Sequence, residues 1–323
     1  MIPEGIIETI KGAKGALITA HERPDGDAVG SALALDKGLQ YLGIRTVIMF
    51  SDPVPEIYRF LRGSENILLP SALGWQPDVI IALDSTEWER VGSFIHDRLS
   101  GSGITTINVD HHASNQHFAD LNWVDEEAAA TGELVLSLLK ELRVPLDVDM
   151  ASALYTAIAT DTGFFQHANT TSQVLSQCAY LAEVGANPHY ISEQIHEYKS
   201  FESLQALGYA LSSLRLSPGG QVAWIGLTLA DLERLQVKEE ELEGLVNYPK
   251  SIKGVEVGLL FRQVEEGKVR VGFRSRGLVD VNAVAQVFGG GGHRRAAGCT
   301  IEGSWEEVIN EVVAYCRRRA GEA

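Results

Sequence analysis

The sequence predicts an α/β protein: a parallel sheet flanked by helices, a helical linker, and a smaller C-terminal α/β domain. Three observations predict it. Short apolar runs at Ala16–Ala20, Thr46–Phe50, Asp78–Leu83 and Ile104–Val109 alternate with stretches of helical spacing. Ligand-type residues follow three of those runs: His21, Asp84 and Asp110-His111-His112. Parallel sheets bind ligands outside the carboxyl ends of their strands, so these residues are expected at one place. A break at Ser217-Pro218-Gly219-Gly220 then opens a second series of strands.

Ile6–Lys14 reads as a short amphipathic helix before the first strand. Ala16–Ala20 is apolar and of strand length. It runs into a turn holding His21, Asp25 and Asp27, with Pro24 and Gly26 between them. From Ala28 the apolar residues take helical spacing, with a stop at Gly43. Two aspartates two residues apart on a turn can point at two places, as two adjacent metal ions require. His21 adds a nitrogen ligand that suits Mn, Fe or Zn better than Mg or Ca. The N-terminus of the following helix suits a phosphate oxygen. Thr46–Phe50 is ended by Ser51-Asp52-Pro53, and Tyr58–Gly63 reads as a turn of helix. Asp78–Leu83 stops at Asp84, and Ile104–Val109 stops at Asp110. Ala128–Leu142 carries leucines at helical spacing, and Met150–Thr160 reads as a buried helix ending at Asp161.

Pro188–Leu214 is helical in pattern, polar on one face, and reads as a linker. Strands are expected at Val222–Leu227, Val255–Val264 and Lys268–Ser275, the last two joined by a Glu265-Glu266-Gly267 hairpin. Helices are expected at Asp280–Phe288 and Trp305–Arg319.

Composition narrows the function. The 323 residues suffice for two domains, and 45% are apolar, enough for a sizeable core. With 43 acidic against 27 basic side chains the net charge is −16, which argues against coating long nucleic acid. Short nucleotides held by a few local cations remain compatible. Cys178, Cys299 and Cys316 form no CxxC pair and are odd in number, which reads as a reducing, cytoplasmic setting. No signal-peptide core is visible in the first residues. No apolar run reaches the ~18 residues of a membrane span.

His21, Asp25, Asp27, Asp84, His111 and Asp161 together offer four carboxylates and two imidazoles. Two divalent cations would neutralise the four negative charges and leave the site open to a phosphate. Without cations the carboxylates would repel, and some would stay protonated. Each aspartate alone has a plainer reading as a helix cap.

The motifs HERPDGDAVGS, LDS at Asp84, DHH at 110–112 and ATDTGFF at Asp161 resemble, in order, the four motifs of the DHH phosphoesterases. RSRGLVDVNAVA followed by FGGGGHRRAAGC resembles the DHHA1 substrate-binding module, so the likeness spans nearly the whole chain. Length and order are similar to the nanoRNase/pAp phosphatase branch. The resemblance implies a DHH catalytic domain over 1–187, a linker over 188–216 and a DHHA1 domain over 217–323. It also implies two Mn²⁺ ions, with Mg²⁺ or Co²⁺ as substitutes. One would take His21, Asp25 and Asp84; the other Asp27, Asp84, His111 and Asp161, with Asp84 bridging. Such a pair acidifies a water held between the ions. His112 would steady phosphoryl charge, and Asp110 would orient a histidine rather than bind metal.

In the second domain, Gly289 to Gly292 let backbone N–H groups approach a phosphate. His293, Arg294 and Arg295 follow directly. Arg274 and Arg276 flank Ser275 and share a strand face by the period-2 rule. The expected substrate contacts are therefore Arg274, Ser275, Arg276, Gly290, Gly291, Gly292, His293 and Arg294. The two domains are expected to close on the substrate, with Pro188–Leu214 as hinge.

The resemblance implies a Mn²⁺-dependent phosphohydrolase that degrades short oligoribonucleotides to mononucleotides and removes the 3′-phosphate of adenosine 3′,5′-bisphosphate. Alternatives are a cyclic-dinucleotide or pApA phosphodiesterase, a RecJ-like single-strand exonuclease, or a non-catalytic nucleotide sensor. No long duplex and no membrane is expected as a partner, and a homodimer is compatible with the reading.

Overall fold

The computed structural model describes residues 2–71, 73–95, 103–242 and 244–322. The chain divides into two compact units, Met1–Tyr198 and Lys199–Ala323.

In the first unit, strands β1 (Gly15–Thr19), β2 (Arg45–Ile48), β3 (Val79–Leu83), β4 (Thr105–Asp110) and β5 (Leu121–Val124) form a parallel sheet in the order β2-β1-β3-β4-β5. Every residue of β1 and β3 is buried, as expected for strands covered on both faces. The chain leaves β1 toward β2 and returns on the other side as β3. The crevice at that reversal lies past Thr19 and Leu83, where His21 and Asp84 sit.

Helices α1 (Ile6–Gly12), α2 (Gly26–Tyr41), α3 (Trp88–Val91), α4 (Thr131–Glu141), α5 (Val148–Asp161), α6 (Ser172–Val184) and α7 (Pro188–His196) complete this unit among the described residues. Asp25 starts α2 as its cap, accepting the Asp27 and Ala28 amides at 3.0 and 3.1 Å. α2 lies tightly against α5 because glycine faces it. A Cβ on Gly30 would stand 2.3 Å from the Ala153 carbonyl oxygen, and one on Gly26 would stand 2.4 Å from Thr160 Oγ1. Those glycines let the end of α5 bring Asp161 beside Asp27. Immediately beyond, Gly163, Phe164 and Phe165 all take positive φ (57°, 53° and 67°), which turns the chain sharply away.

Pro188–Leu214 is two helices, not one. α7 ends at His196 and packs Ile191 and Ile195 into the first core. α8 (Phe201–Ser212) begins afresh at the Ser200 cap and packs Ala206 and Ala210 into the second unit.

The second unit holds strands β6 (Arg215–Leu216), β7 (Val222–Leu227), β8 (Val257–Glu265), β9 (Lys268–Ser275), β10 (Gly291–His293) and β11 (Ala296–Glu302), in the order β10-β11-β9-β8-β7-β6. Helices α9 (Leu229–Leu235), α10 (Asn247–Ser251), α11 (Val281–Val287) and α12 (Trp305–Arg319) accompany α8. Val257, Leu259, Phe261, Val269, Val271 and Phe273 pack with Val284, Val308 and Val312 on one face of the sheet. Ile225, Leu227 and Leu260 pack with Ala206, Ala210, Leu245 and Val246 on the other. Half of the glycine run is strand: Gly291 and Gly292 belong to the edge strand Gly291–His293, paired with Ala296–Gly298.

No described helix is long and apolar enough to cross a membrane.

Candidate active site

The strand ends, the start of α2 and the end of α5 bring His21, Asp25, Asp27, Asp84, His111, His112 and Asp161 into one cluster in the first unit. Three groups offer ligand atoms within 4.8 Å of one another: His21/Asp25/Asp84, Asp27/His111/Asp161 and Asp84/His111/His112. Asp84 lies at the centre, 3% exposed, with a positive φ of 51° that turns its carboxylate into the crevice. Its Oδ2 is 3.3 Å from His21 Nε2. Its Oδ1 is 3.6 Å from His111 Nε2 and 3.5 Å from His112 Nδ1, and accepts Thr131 Oγ1–H at 3.2 Å. The two oxygens thus face two groups of potential ligands.

Asp27 is fully buried, and its carboxylate caps α4 across the crevice. Oδ2 accepts the Thr131 amide at 2.6 Å; Oδ1 accepts the Gly132 amide and Ser31 Oγ–H, both at 2.9 Å. Ala130, the residue before α4, has no side-chain cap of its own. A helix N-terminus therefore holds Asp27 in place.

His111 tests whether cations fit. Its Nδ1 lies 3.3 Å from the Ala128 carbonyl. Its Nε2 is buried without a hydrogen-bond partner, 3.5 Å from Asp161 Oδ2 and 3.8 Å from Asp27 Oδ2. With the proton on Nδ1, donated to Ala128, the Nε2 lone pair faces three carboxylates. Lone pair against carboxylate is repulsive unless a cation stands between them, so the donor set fits divalent metal.

Asp110 is fully buried and turned away from that cluster. Its Oδ1 accepts the His111 amide at 2.9 Å and His112 Nδ1–H at 2.8 Å, and its Oδ2 accepts Asn115 Nδ2–H at 2.6 Å. It therefore orients His112. Sequence reading did not identify Thr131 or Asn115, whose roles depend on contacts across the crevice.

Charge follows the geometry. Burial, then the charges of Asp84, Asp161 and Asp25, raise the Asp27 carboxyl well above its usual range. Burial, then Asp84 and Asp25, do the same to Asp161. Burial would raise Asp84 too, but hydrogen bonding and charge from His21, then the charge of His112, hold it well below. Burial opposes protonation of His21 and His112. Asp25 and Asp84 override it at His21, and the Asp110 hydrogen bond overrides it at His112, which is pushed up to about 9.

A pH and metal dependence follows. Asp27, Asp161, His21 and His112 all bind protons more tightly in the folded, metal-free protein than in the unfolded chain. Where the folded state holds more protons, stability falls as pH rises. The window runs from the ordinary carboxyl value of ~4 up to about 9, where His112 titrates. Asp84 acts in the opposite sense, but only in acid. Thermal unfolding in EDTA should thus show a falling Tm between about pH 5 and 9. Excess Mn²⁺ should raise Tm more at the alkaline end, because binding must displace those protons. A flat profile with no Mn²⁺ effect would count against a cation site.

In the second unit, the strand register places His293, Ala296, Arg274 and Gly258 opposite one another across β10, β11, β9 and β8. Opposed residues share a face, so His293 and Arg274 lie on the α10 side of the sheet. Gly290 and Gly292 serve the hairpin itself. A Cβ would meet the Gly298 carbonyl oxygen at 2.2 Å and the Ala296 carbonyl oxygen at 2.6 Å. Gly291 is exposed. Ser275 is buried and pairs through its backbone with Arg295, and Arg294 Nη2 reaches the Gly277 carbonyl at 3.5 Å. Arg276 lies past the strand end. Its guanidinium donates to the carbonyls of Val255 (2.8 Å), Lys250 (3.2 Å) and Ile252 (3.5 Å).

The model of the DHH family, N-terminal domain, matches residues 16–158, and that of the DHHA1 domain matches residues 222–322. The bifunctional oligoribonuclease and PAP phosphatase NrnA of Thermus thermophilus is 34% identical over 313 residues, covering 95% of this chain and 92% of that one. The chain belongs to the DHH/DHHA1 family. The NrnA protein of Bacillus subtilis is 28% identical to this DHH/DHHA1 chain, covering 97% of it and 98% of that protein. The crystal structure of an exopolyphosphatase-related protein from Bacteroides fragilis superposes with a TM-score of 0.90 at 26% identity, covering 98% of this chain and 96% of that one. The DHH match contains His21, Asp25, Asp27, Asp84 and Asp110–His112; Asp161 lies just beyond its end.

Proposed function

We propose that this chain is a Mn²⁺-dependent phosphohydrolase. It degrades very short oligoribonucleotides to mononucleotides and removes the 3′-phosphate of adenosine 3′,5′-bisphosphate. The observation that carries the reading is the buried Asp84, with one oxygen toward His21 and the other toward His111 and His112. The near-full-length likeness to the Thermus thermophilus enzyme supports the substrate class. His21, Asp25 and Asp84 would hold one ion, and Asp27, Asp84, His111 and Asp161 the other. When bound, divalent cations supply charge that polarises phosphoryl oxygens and acidifies water. The chain's own residues do the rest. Asp110 keeps His112 protonated and oriented, so the imidazolium offsets negative charge as it grows on the phosphoryl group. Asp27, pinned by the α4 amides, and Asp161, at the end of α5, fix the far wall.

Substrate length tests the reading. A nuclease for long strands follows them along a basic groove. This chain carries a net charge of −16, and its proposed substrate cations form one local row. Nucleotides beyond the first few would meet an acidic surface. kcat/KM with Mn²⁺ should therefore peak at two to about five nucleotides and depend weakly on salt, because few phosphates are neutralised. The experiment is competition between a labelled dinucleotide and a 24-mer at equal ends, with pApA, cyclic di-AMP and adenosine 3′,5′-bisphosphate in parallel. Preferential cleavage of the 24-mer would favour an exonuclease instead.

A further inference from the structure

The row His293–Ala296–Arg274–Gly258 ends at a glycine, and something lies over that glycine. A Cβ on Gly258 would stand 2.5 Å from the Lys250 amide nitrogen and 2.8 Å from Lys250 Cβ. Helix α10 is thus seated directly on the sheet at Gly258, beside Arg274, its partner in β9. Lys250 is the next cation along the row after His293 and Arg274, although it belongs to a different element. Ala296 and Gly258 have small side chains or none, so cationic side chains alternate with bare backbone. Beside Ala296 the next row of the same face is Gly291, Gly298 and Gly272. Added Cβ atoms there would meet nothing closer than 3.4 Å. The floor next to the cations is therefore free of side chains although packing does not require it.

Arg276 explains how α10 is held. Its three hydrogen bonds to Val255, Lys250 and Ile252 collect the carbonyls at and beyond the C-terminal end of α10. A guanidinium spent on three carbonyls is anchoring the helix that carries Lys250.

We propose that Lys250 is a phosphate-contacting residue of the second unit, forming one anion subsite with Arg274 and His293, and that Arg276 is a positioning residue that holds α10 in place. The ligand class is the terminal phosphate of a short nucleotide, which rests on the function proposed above. Burial, then the positive charges of Arg274, Arg276 and Arg295, push the Lys250 ammonium below its ordinary value. A lysine crowded by three arginines suits an anion bound among them.

The test separates phosphate contact from scaffolding. Binding of adenosine 3′,5′-bisphosphate to the full chain in EDTA is measured by calorimetry, so it does not depend on hydrolysis. Lys250→Gln should weaken it about tenfold or more, the size of a charge-assisted hydrogen bond, and Lys250→Arg should restore most of it. With Mn²⁺, Lys250→Gln should raise KM for pApA and leave KM for ApA, which lacks the terminal phosphate, within about twofold. Arg276→Gln should lower Tm, which Lys250→Gln leaves nearly unchanged, and raise KM for pApA more than for ApA, because it acts by displacing the helix that carries Lys250. An equal effect of Lys250→Gln on pApA and ApA, or none on either, overturns the proposal. So does failure of the wild-type chain to bind the bisphosphate in EDTA. Absence of hydrolysis with intact, Lys250-dependent binding would overturn the enzymatic reading alone.

Discussion

Asp84→Ala should abolish turnover, with a loss of about 10³-fold or more in kcat, at least the scale of removing a preorganised electrostatic stabiliser. The expectation rests on the position of Asp84 between the two groups of potential ligands. One oxygen serves the His21 side and the other the His111 side, so a single truncation strips both. Asp25→Ala should behave differently. Asp25 is half exposed, belongs only to the His21/Asp25/Asp84 group, and also caps α2. Its loss should empty mainly one of the two proposed positions. Metal content by mass spectrometry after equilibration with Mn²⁺ distinguishes the two variants, and circular dichroism checks that each is folded. Near-normal turnover by Asp84→Ala would sink the two-metal scheme.

Asp110→Asn should lower kcat by about 10²-fold while changing bound metal little, the range of an oriented acid or outer-sphere partner. Asp110 accepts three donors at once, from the His111 amide, His112 Nδ1 and Asn115 Nδ2. An asparagine can accept at only one of its two terminal atoms, so one of these donors would face an NH₂ group. The lost negative charge also removes the largest of the influences that keep His112 protonated up to about 9, leaving those of Asp84 and Asp161. His112 should then turn or deprotonate nearer its ordinary value. The imidazole resonances of His112, followed by NMR against pH in metal-free protein, report that change directly. An unshifted His112 together with unchanged kcat would remove Asp110 from the mechanism.

Much of the first unit is legible in the sequence because its signals are local. An apolar run that ends in a ligand residue marks a buried parallel strand, and the four long runs are found as β1 to β4 within a few residues. β5 is not legible, since Leu121–Val124 is short and mostly half-exposed. The hairpin of β10 and β11 escapes for a different reason. Glycines, alanines and arginines carry no β signal, and the pairing exists only because bare backbone fits against bare backbone. The ligand residues are legible as a set, but which histidine Asp110 serves is not, because His111 and His112 are neighbours. Arg274 and Arg276 look equivalent by alternation, yet the strand stops between them. Lys250 carries no sequence signal at all: its place is set by the absence of a side chain at Gly258.

The candidate ligands of the first unit run from His21 to Asp161, and Asp161 reaches the others only at the far end of α5, pressed onto α2 at Gly26 and Gly30. That arrangement bears on protein synthesis. A nascent chain that has exposed β1 and β3 already displays His21, Asp25, Asp27 and Asp84, but it lacks the last carboxylate and the helix that delivers it. N-terminal units fold as they emerge during translation. The candidate cation site would therefore stay incomplete until α5 has left the exit tunnel and docked.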